Sequence, residues 1–305
     1  NLTGGDGLVM IGVKGGYFER NVSYHANFLG RSGTANVGMW PISSSDIVMQ
    51  YNEAAYCHLA NGGADGEGFD IDIGCRNILF RYNYSHDNDG GGILLCNTGG
   101  QVTLCDEDGN VRKDENGKVV IEKGRAEWSD VFIKNNVFAR NGKKKGNFPA
   151  LMHVAGSCEN VYFENNTVIF TDNVSQPLMT VTKWDSEYDS SSPNKFYFKN
   201  NVFLSPVPNE SYLRYTYMGE DYLFLSNVYH NMSESFAEVA SDTKAFSFDP
   251  LIGIPDDAKG YEKIYDYVPG ERKCSEGALL LKGRNLYDAA GNKVTGRRYF
   301  GAIVA

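Results

Sequence analysis

The segments "NVYFENN" (160–166) and "KFYFKNN" (195–201) are nearly the same seven residues, set 35 positions apart. Each ends in an Asn three positions after an apolar residue: Phe163 before Asn166, Phe198 before Asn201. The same spacing recurs at Phe18/Asn21, Met49/Asn52, Phe80/Asn83, Ile133/Asn136 and Phe224/Asn227. The intervals between successive Asn are 31, 31, 53, 30, 35 and 26, so one is nearly double and the rest cluster near thirty. Self-similarity on that scale marks a solenoid, whose long side walls suit long ligands.

The repeats read as strands. In "DIVMQYN" (46–52), "NILFRYN" (77–83) and "DVFIKNN" (130–136), apolar and polar residues alternate as in half-buried strands. Ile47/Met49, Ile78/Phe80, Val131/Ile133 and Val161/Phe163 are expected to point inward. A thirty-residue unit is too short for a propeller blade, which needs about forty, and leucine-rich signatures are absent. A parallel β-helix over residues 1–305, as one domain, is the remaining all-β reading. Asn tolerates left-handed backbone and bonds neighbouring backbone, so the Asn column is expected at a corner, stacked as an amide ladder. The 53-residue interval implies a hairpin insertion around 97–127, with turns at Asp108-Gly109 and Asn116-Gly117. Its Asp106/Asp108/Asn110/Asp114 spacing resembles a calcium loop without the terminal Glu, and a solvated hairpin is preferred. A shorter insertion spans 183–194. The chain opens inside a repeat, so an N-terminal portion is expected to be missing.

A net charge of −9 argues against nucleic acid, which needs an excess of Lys and Arg. No run of eighteen apolar residues provides a membrane span. The six cysteines show no metal spacing. Buried thiols are expected, with Cys96–Cys105 the one bridge to check.

"RYNYSHDNDGGGILL" (81–95), "FENNTV" (163–168) and "FKNNVF" (198–203) resemble right-handed parallel β-helix repeats of the pectin-lyase-like superfamily. "FDPLIG" (248–253) and "GRNLYDAAGNKVTGRRYFGAI" (283–303) resemble the closing segment, here 249–305, of its secreted bacterial members. The resemblance covers nearly the whole chain. It implies a secreted, periplasmic or cell-surface location and a carbohydrate-active role, but not which one, because fold does not fix function.

One stretch departs from the repeat chemistry: "GADGEGFDIDIGCRN" (63–77) with "SHDNDGGG" (85–92). Counting back from each corner Asn gives an outward column of Leu8/Met10, Met39/Pro41, Asp70/Asp72, a pair near Ile93/Leu95, and His153/Ala155. Asp is disfavoured in strands, so two in one strand need a reason. Glu67 and Asp89, on flanking loops, join Asp70 and Asp72 as candidate catalytic carboxylates. His86, Asp87, His153, Trp40, Trp184 and Arg76 are candidate substrate-binding residues, and Lys183 could hold an acidic sugar. Gly66, Gly68, Gly90, Gly91 and Gly92 would let a ligand approach the backbone. No His-rich metal motif and no Gly-x-Ser-x-Gly element occurs.

Three functions compete. A glycoside hydrolase needs one carboxylic acid and one carboxylate, and crowded carboxylates raise one another's pKa. The cluster resembles that of polygalacturonase-like glycosidases, without their Gly-His-Gly element. This reading needs no cofactor, and its partner is a polysaccharide or oligosaccharide. A lyase or epimerase would use Ca²⁺ on the carboxylates and a Lys or Arg base. A carbohydrate-binding or adhesin module would use neither.

Overall fold

The computed structural model describes residues 3–97, 100–103, 106, 110–124, 128–144, 150–156, 158–182, 195–209, 221–233, 241–268, 287–289, 291–293 and 300–303. Among these residues the protein is all-β, with one short 3₁₀ helix at Tyr261–Asp266. The strands form three parallel sheets that the chain visits in a fixed order, an arrangement compatible with the expected solenoid. The first sheet holds Leu8–Ile11, Met39–Ile42, Phe69–Ile71, Ile93–Asn97, Met152–Gly156 and Met179–Thr182. The second holds Lys14–Glu19, Ser45–Gln50, Arg76–Arg81, Ser129–Lys134, Val161–Glu164, Lys195–Lys199 and Asp221–Leu225. The third holds Val22–Tyr24, Glu53–Ala55, Tyr84–His86, Val137–Ala139, Thr167–Ile169, Val202–Asn209 and Val228–Met232.

In the second sheet the inward residues are those the alternation picked out. Met49, Phe80, Ile133, Phe163 and Phe198 align across adjacent strands and are buried. Where the aligned residues are aromatic they stack. Phe198 and Phe224 have ring centroids 4.4 Å apart at 5°. Such offset stacks add to the burial of large apolar area.

The Asn column turns the corner between the second and third sheets, and its side chains form the expected ladder. The Asn52 side chain donates to Asn83 Oδ1 at 2.9 Å, and the pattern continues through Asn136, Asn166 and Asn201 to Asn227. Each Oδ1 also accepts the preceding rung's backbone N–H, as Asn166 does from Asn136 at 2.9 Å. At the far end Asp242 takes the next place, accepting the Asn227 backbone and side-chain N–H at 2.9 and 2.8 Å. The backbone role differs from the expectation. The left-handed residue is the one before each rung: Arg20, Tyr51, Tyr82, Asn135, Asn165, Asn200 and Ser226, with φ from 53° to 62°. Most L-residues resist this conformation by about 1–2 kcal/mol, so at Arg20, Tyr51, Tyr82 and Ser226 the ladder's hydrogen bonds hold the corner, while Asn135, Asn165 and Asn200 suit it by themselves.

The outward column expected on the first sheet is out by one residue in most strands. Met39 pairs with Phe69, and Asp70 with Leu94, so the outward neighbours of Asp70 are Trp40 and Leu94. Met39, Pro41, Ile93 and Leu95 face the core and are buried, and Met10 packs against it. The cause is corner length. Seven positions separate the inward residues Ile71 and Ile78, or Val154 and Val161, against six between Pro41 and Ile47. The buried thiols of Cys75 and Cys158 fill the two longer corners, pointing at the carbonyls of Pro41 and Leu95.

The insertion pairs Gly100–Thr103 antiparallel with Ile121–Gly124, and an antiparallel bridge joins Lys113 and Val119 around the Asn116-Gly117 turn. Asp108 and Gly109 lie outside the described residues, as does 183–194. Asp106 caps Asn110, and Asp114 accepts from Asn116 and Lys118, so both are turn carboxylates. Among the described residues no group of three or more His, Cys, Asp or Glu could hold a metal ion. None of their helices is long and apolar enough to cross a membrane. The described part of 249–305 packs on the outer face of the third sheet, where Ile252, Ile264, Tyr267 and Phe300 meet Tyr84, Val137 and Val202.

Candidate functional site

Asp70 lies in the middle of the short strand Phe69–Ile71, between inward Phe69 and Ile71, and so projects outward. Asp72 follows two residues later on the same face, about 6.6 Å along an extended backbone. Strand spacing of ~4.8 Å brings Trp40 and Leu94 alongside Asp70, and Ile42 and Cys96 alongside Asp72. Glu67 precedes this strand and is buried. Two positions earlier, Asp65 ends the strand Ala64–Asp65, which pairs with Ala35–Asn36. His153 comes from two strands further along the first sheet and is also buried.

These groups share a low-dielectric, acidic setting. Burial, then the charges of Asp72, Asp65 and Glu67, push the Asp70 carboxyl well above the usual carboxylate range. Burial pushes Glu67 up to about 8, with the backbone amides of Glu67 and Gly91 pulling the other way. Asp65 is pushed up to about 7 by burial and by the Glu67 charge. Asp72 is raised by burial, against hydrogen bonds from the Ile73 N–H, 2.7 Å from Oδ1, and from the Cys96 thiol. Burial lowers His153 to about 4, so its ring is neutral at pH 7. His153 Nδ1 stands 3.7 Å from Glu67 Oε1, and Nε2 is 2.9 Å from the Thr182 hydroxyl. Carboxyls this close titrate as a coupled set rather than singly. The result is a set holding protons near neutrality beside a half-exposed Asp72 with two donors.

The other sequence candidates fall elsewhere. Asp89 fixes the corner between the third and first sheets. It accepts the Leu59 N–H at 3.0 Å and the Lys144 ammonium at 3.1 Å, and lies 3.6 Å from His58 Nδ1. His86 and Asp87 sit under the C-terminal segment. The His86 ring bridges Glu53 at 3.0 Å and Asp87 at 2.8 Å, Arg140 forks onto Asp87, and Glu53 also accepts the Gly260 N–H. Burial raises Asp87, but the hydrogen bonds from His86, Arg140 and Lys143 outweigh it and hold the carboxyl far below its usual range. Arg76 begins a strand of the second sheet, around the corner from Asp72. Trp40 is on the acidic face beside Asp70, half-buried, rather than in the core. Trp184 and Lys183 lie outside the described residues, and Cys105 with them. Cys96 carries a thiol, so no bridge ties it to Cys105.

The glycines serve packing rather than ligand approach. A Cβ on Gly68 would lie 2.5 Å from Ser85 Oγ, one on Gly90 2.6 Å from the Asp65 carbonyl, and one on Gly91 2.7 Å from the Leu151 carbonyl. The neighbouring strands already occupy that space. Asp65, Cys96 and Thr182 escaped the sequence reading. A signal for Asp65 was present, since Ala35-Asn36 and Ala64-Asp65 are the same element 29 residues apart.

No family model matches the chain. A stretch of 106 residues is 33% identical to the Lacto-N-biosidase of Bifidobacterium longum subsp. longum. The match takes in 31% of this chain and 6% of that protein's length.

Proposed function

We propose that the chain is a right-handed parallel β-helix of the pectin-lyase-like superfamily, one domain over 1–305, that hydrolyses glycosidic bonds in a polysaccharide or its oligosaccharides. The observation that carries this is the set of outward and flanking carboxyls Asp65, Glu67 and Asp70, whose burial raises their pKa values, beside Asp72, a carboxylate with hydrogen-bond donors. Glycoside hydrolysis requires such an acid and such a carboxylate. The partial likeness to a lacto-N-biosidase supports a carbohydrate-active role.

The roles follow from access. Asp70 and Glu67 are buried, whereas Asp65 and Asp72 remain partly open. Asp65, pushed up to about 7, is the acid that protonates the leaving oxygen. Asp72, held by the Ile73 N–H and the Cys96 thiol, is the carboxylate that activates water or attacks the anomeric carbon. Asp70 and Glu67 are neutral acids behind them that set the local field. Trp40, half-buried beside Asp70, borders the sugar, and His153, neutral and buried, stands behind it against Glu67. The titratable neighbours that perturb these carboxyls are themselves acidic, apart from His153. Carboxyls that hold protons near neutral pH are poor ligands for Ca²⁺, so their raised pKa values speak against a Ca²⁺-dependent lyase. A polysaccharide substrate puts the protein outside the cytoplasm: secreted, periplasmic or on the cell surface.

The test is a glycan panel scored for new reducing ends, for ultraviolet absorbance of an unsaturated product, and for binding. Reducing ends without absorbance, insensitive to EDTA, are expected. On a confirmed substrate, Asp65→Asn and Asp72→Asn should each cut turnover by ~10²–10⁴. An aryl glycoside with a good leaving group should restore Asp65→Asn but not Asp72→Asn. Wild-type turnover in both variants would refute the assignment. Absorbance with Ca²⁺ dependence would favour the lyase, and affinity without product a binding module.

A further inference from the structure

We propose that Cys96 is a positioning residue for Asp72: from the adjacent strand of the first sheet its thiol donates a hydrogen bond that orients the carboxylate and keeps it ionised. The inference rests on the reading of Asp72 as the ionised member of the pair.

The register puts the two side by side. Leu95 pairs with Ile71, both inward and buried, so the next residues, Cys96 and Asp72, face outward together. The Asp72 carboxylate has two hydrogen-bond donors, the Ile73 N–H at its own turn and the Cys96 thiol. On its other flank stands Ile42, whose side chain has nothing to donate. Cys96 therefore supplies the side-chain part of that support. It also differs from the other described cysteines. Cys57, Cys75 and Cys158 are fully buried, and the last two fill corners of the core. Cys96 is half-buried on the acidic face, where a packing role would be met as well by Ala or Val. A thiol beside an anion resists ionisation, so it remains a donor throughout the neutral range.

Two measurements test this. The first is the pH–rate profile of Cys96→Ala and Cys96→Ser on a glycan the protein cleaves. Losing the donor lets Asp72 take a proton more easily, so the acid limb of Cys96→Ala should move up by about one pH unit. Cys96→Ser retains an O–H donor and should keep the wild-type limb. An unmoved limb in Cys96→Ala, or the same shift in both variants, overturns the inference. The second measurement does not depend on turnover. Iodoacetamide alkylation of Cys96 is followed by peptide mass spectrometry, which separates it from the other five cysteines. In Asp72→Asn the neighbouring charge is gone, and alkylation at pH 8 should speed up by about threefold or more. An unchanged rate would mean that the thiol does not face Asp72, and would overturn the inference even if Asp72 proves catalytic. Wild-type turnover in Asp72→Asn would remove the catalytic reading and this role with it, while the alkylation result still reports the contact.

Discussion

Replacing Asn166 by Ala removes one interior rung of the Asn ladder. Its Oδ1 accepts the Asn136 backbone N–H at 2.9 Å and the Asn136 side-chain amide at 3.0 Å. Its Nδ2 donates to the Ile133 carbonyl at 2.9 Å and to Asn201 Oδ1 at 3.3 Å. The side chain is wholly buried, so water cannot replace these partners. The Asn136 N–H loses its acceptor outright, at a cost of about 1–3 kcal/mol, and the other three bonds add roughly 0.5 kcal/mol or more each. The expected destabilisation is about 3–4 kcal/mol, well above the loss of a single hydrogen bond. Asn21, at the first rung, is the internal control. It is partly exposed, donates to Asn52 Oδ1, and keeps its backbone donation when the side chain is cut to Ala. Asn21→Ala should cost about 0.5–1 kcal/mol. Urea denaturation followed by circular dichroism measures both, comparing midpoints at constant slope. If the two variants fall within about 0.5 kcal/mol of each other, the ladder is not what holds the corner, and the left-handed residue before each rung must be stable for another reason.

The pH dependence of stability follows from Glu67 and Asp87, with opposite signs. The folded-state pKa of Glu67 is raised to about 8, so the native state binds more protons than the unfolded chain between about pH 4.5 and 8, and stability falls as pH rises through that window. Glu67→Gln, isosteric and uncharged, should therefore raise the melting temperature at pH 8 and change it little at pH 4.5; an equal effect at both pH values would contradict the assignment. Asp87 is depressed, so its contribution is present at neutral pH and is lost as pH falls below the usual carboxylate range. Asp87→Ala leaves His86 and Arg140 without their shared partner and should destabilise by about 3–5 kcal/mol at pH 7, loosening 251–268 first, as limited proteolysis would report; an unchanged cleavage pattern would argue that the His86–Glu53–Gly260 contacts do not hold that segment.

Much of the parallel-sheet arrangement was legible in the sequence because the second sheet and its Asn corner carry a period near thirty residues, broken once by the insertion. Phe80, Ile133, Phe163 and Phe198 obey it, and so do the Asn that follow them. The first sheet was less legible. One extra residue at the corners of Cys75 and Cys158 shifts the count, and a shift of one residue moves a side chain to the other face. Thus Met39 and Pro41 read as outward when Trp40 and Ile42 are, whereas Asp70 and Asp72 were read correctly because their own pass has the longer corner that the count-back fits. His86 and Asp87 looked like part of an acidic cluster because they are close in sequence to Asp89. Their true partners, Arg140 and Gly260, are remote in the chain, and no local pattern announces them. The acidic face was visible as composition, but not the ranking within it. Which carboxyl is buried and which is open depends on strands contributed by other passes.

Asp242 ends a ladder that has a chemical direction. Every ladder amide points the same way, with oxygen toward the preceding rung and N–H toward the next. Seven aligned amide dipoles add, and the positive pole emerges at Asn227, where an anion is favoured for the same reason as at the start of a helix. A carboxylate satisfies that pole and has no hydrogen to pass on. An Asn in its place would offer a donor to a further rung, and so to the first rung of another copy. Asp242 thus works as a stop signal written in hydrogen-bond polarity, closing the stack against end-to-end growth.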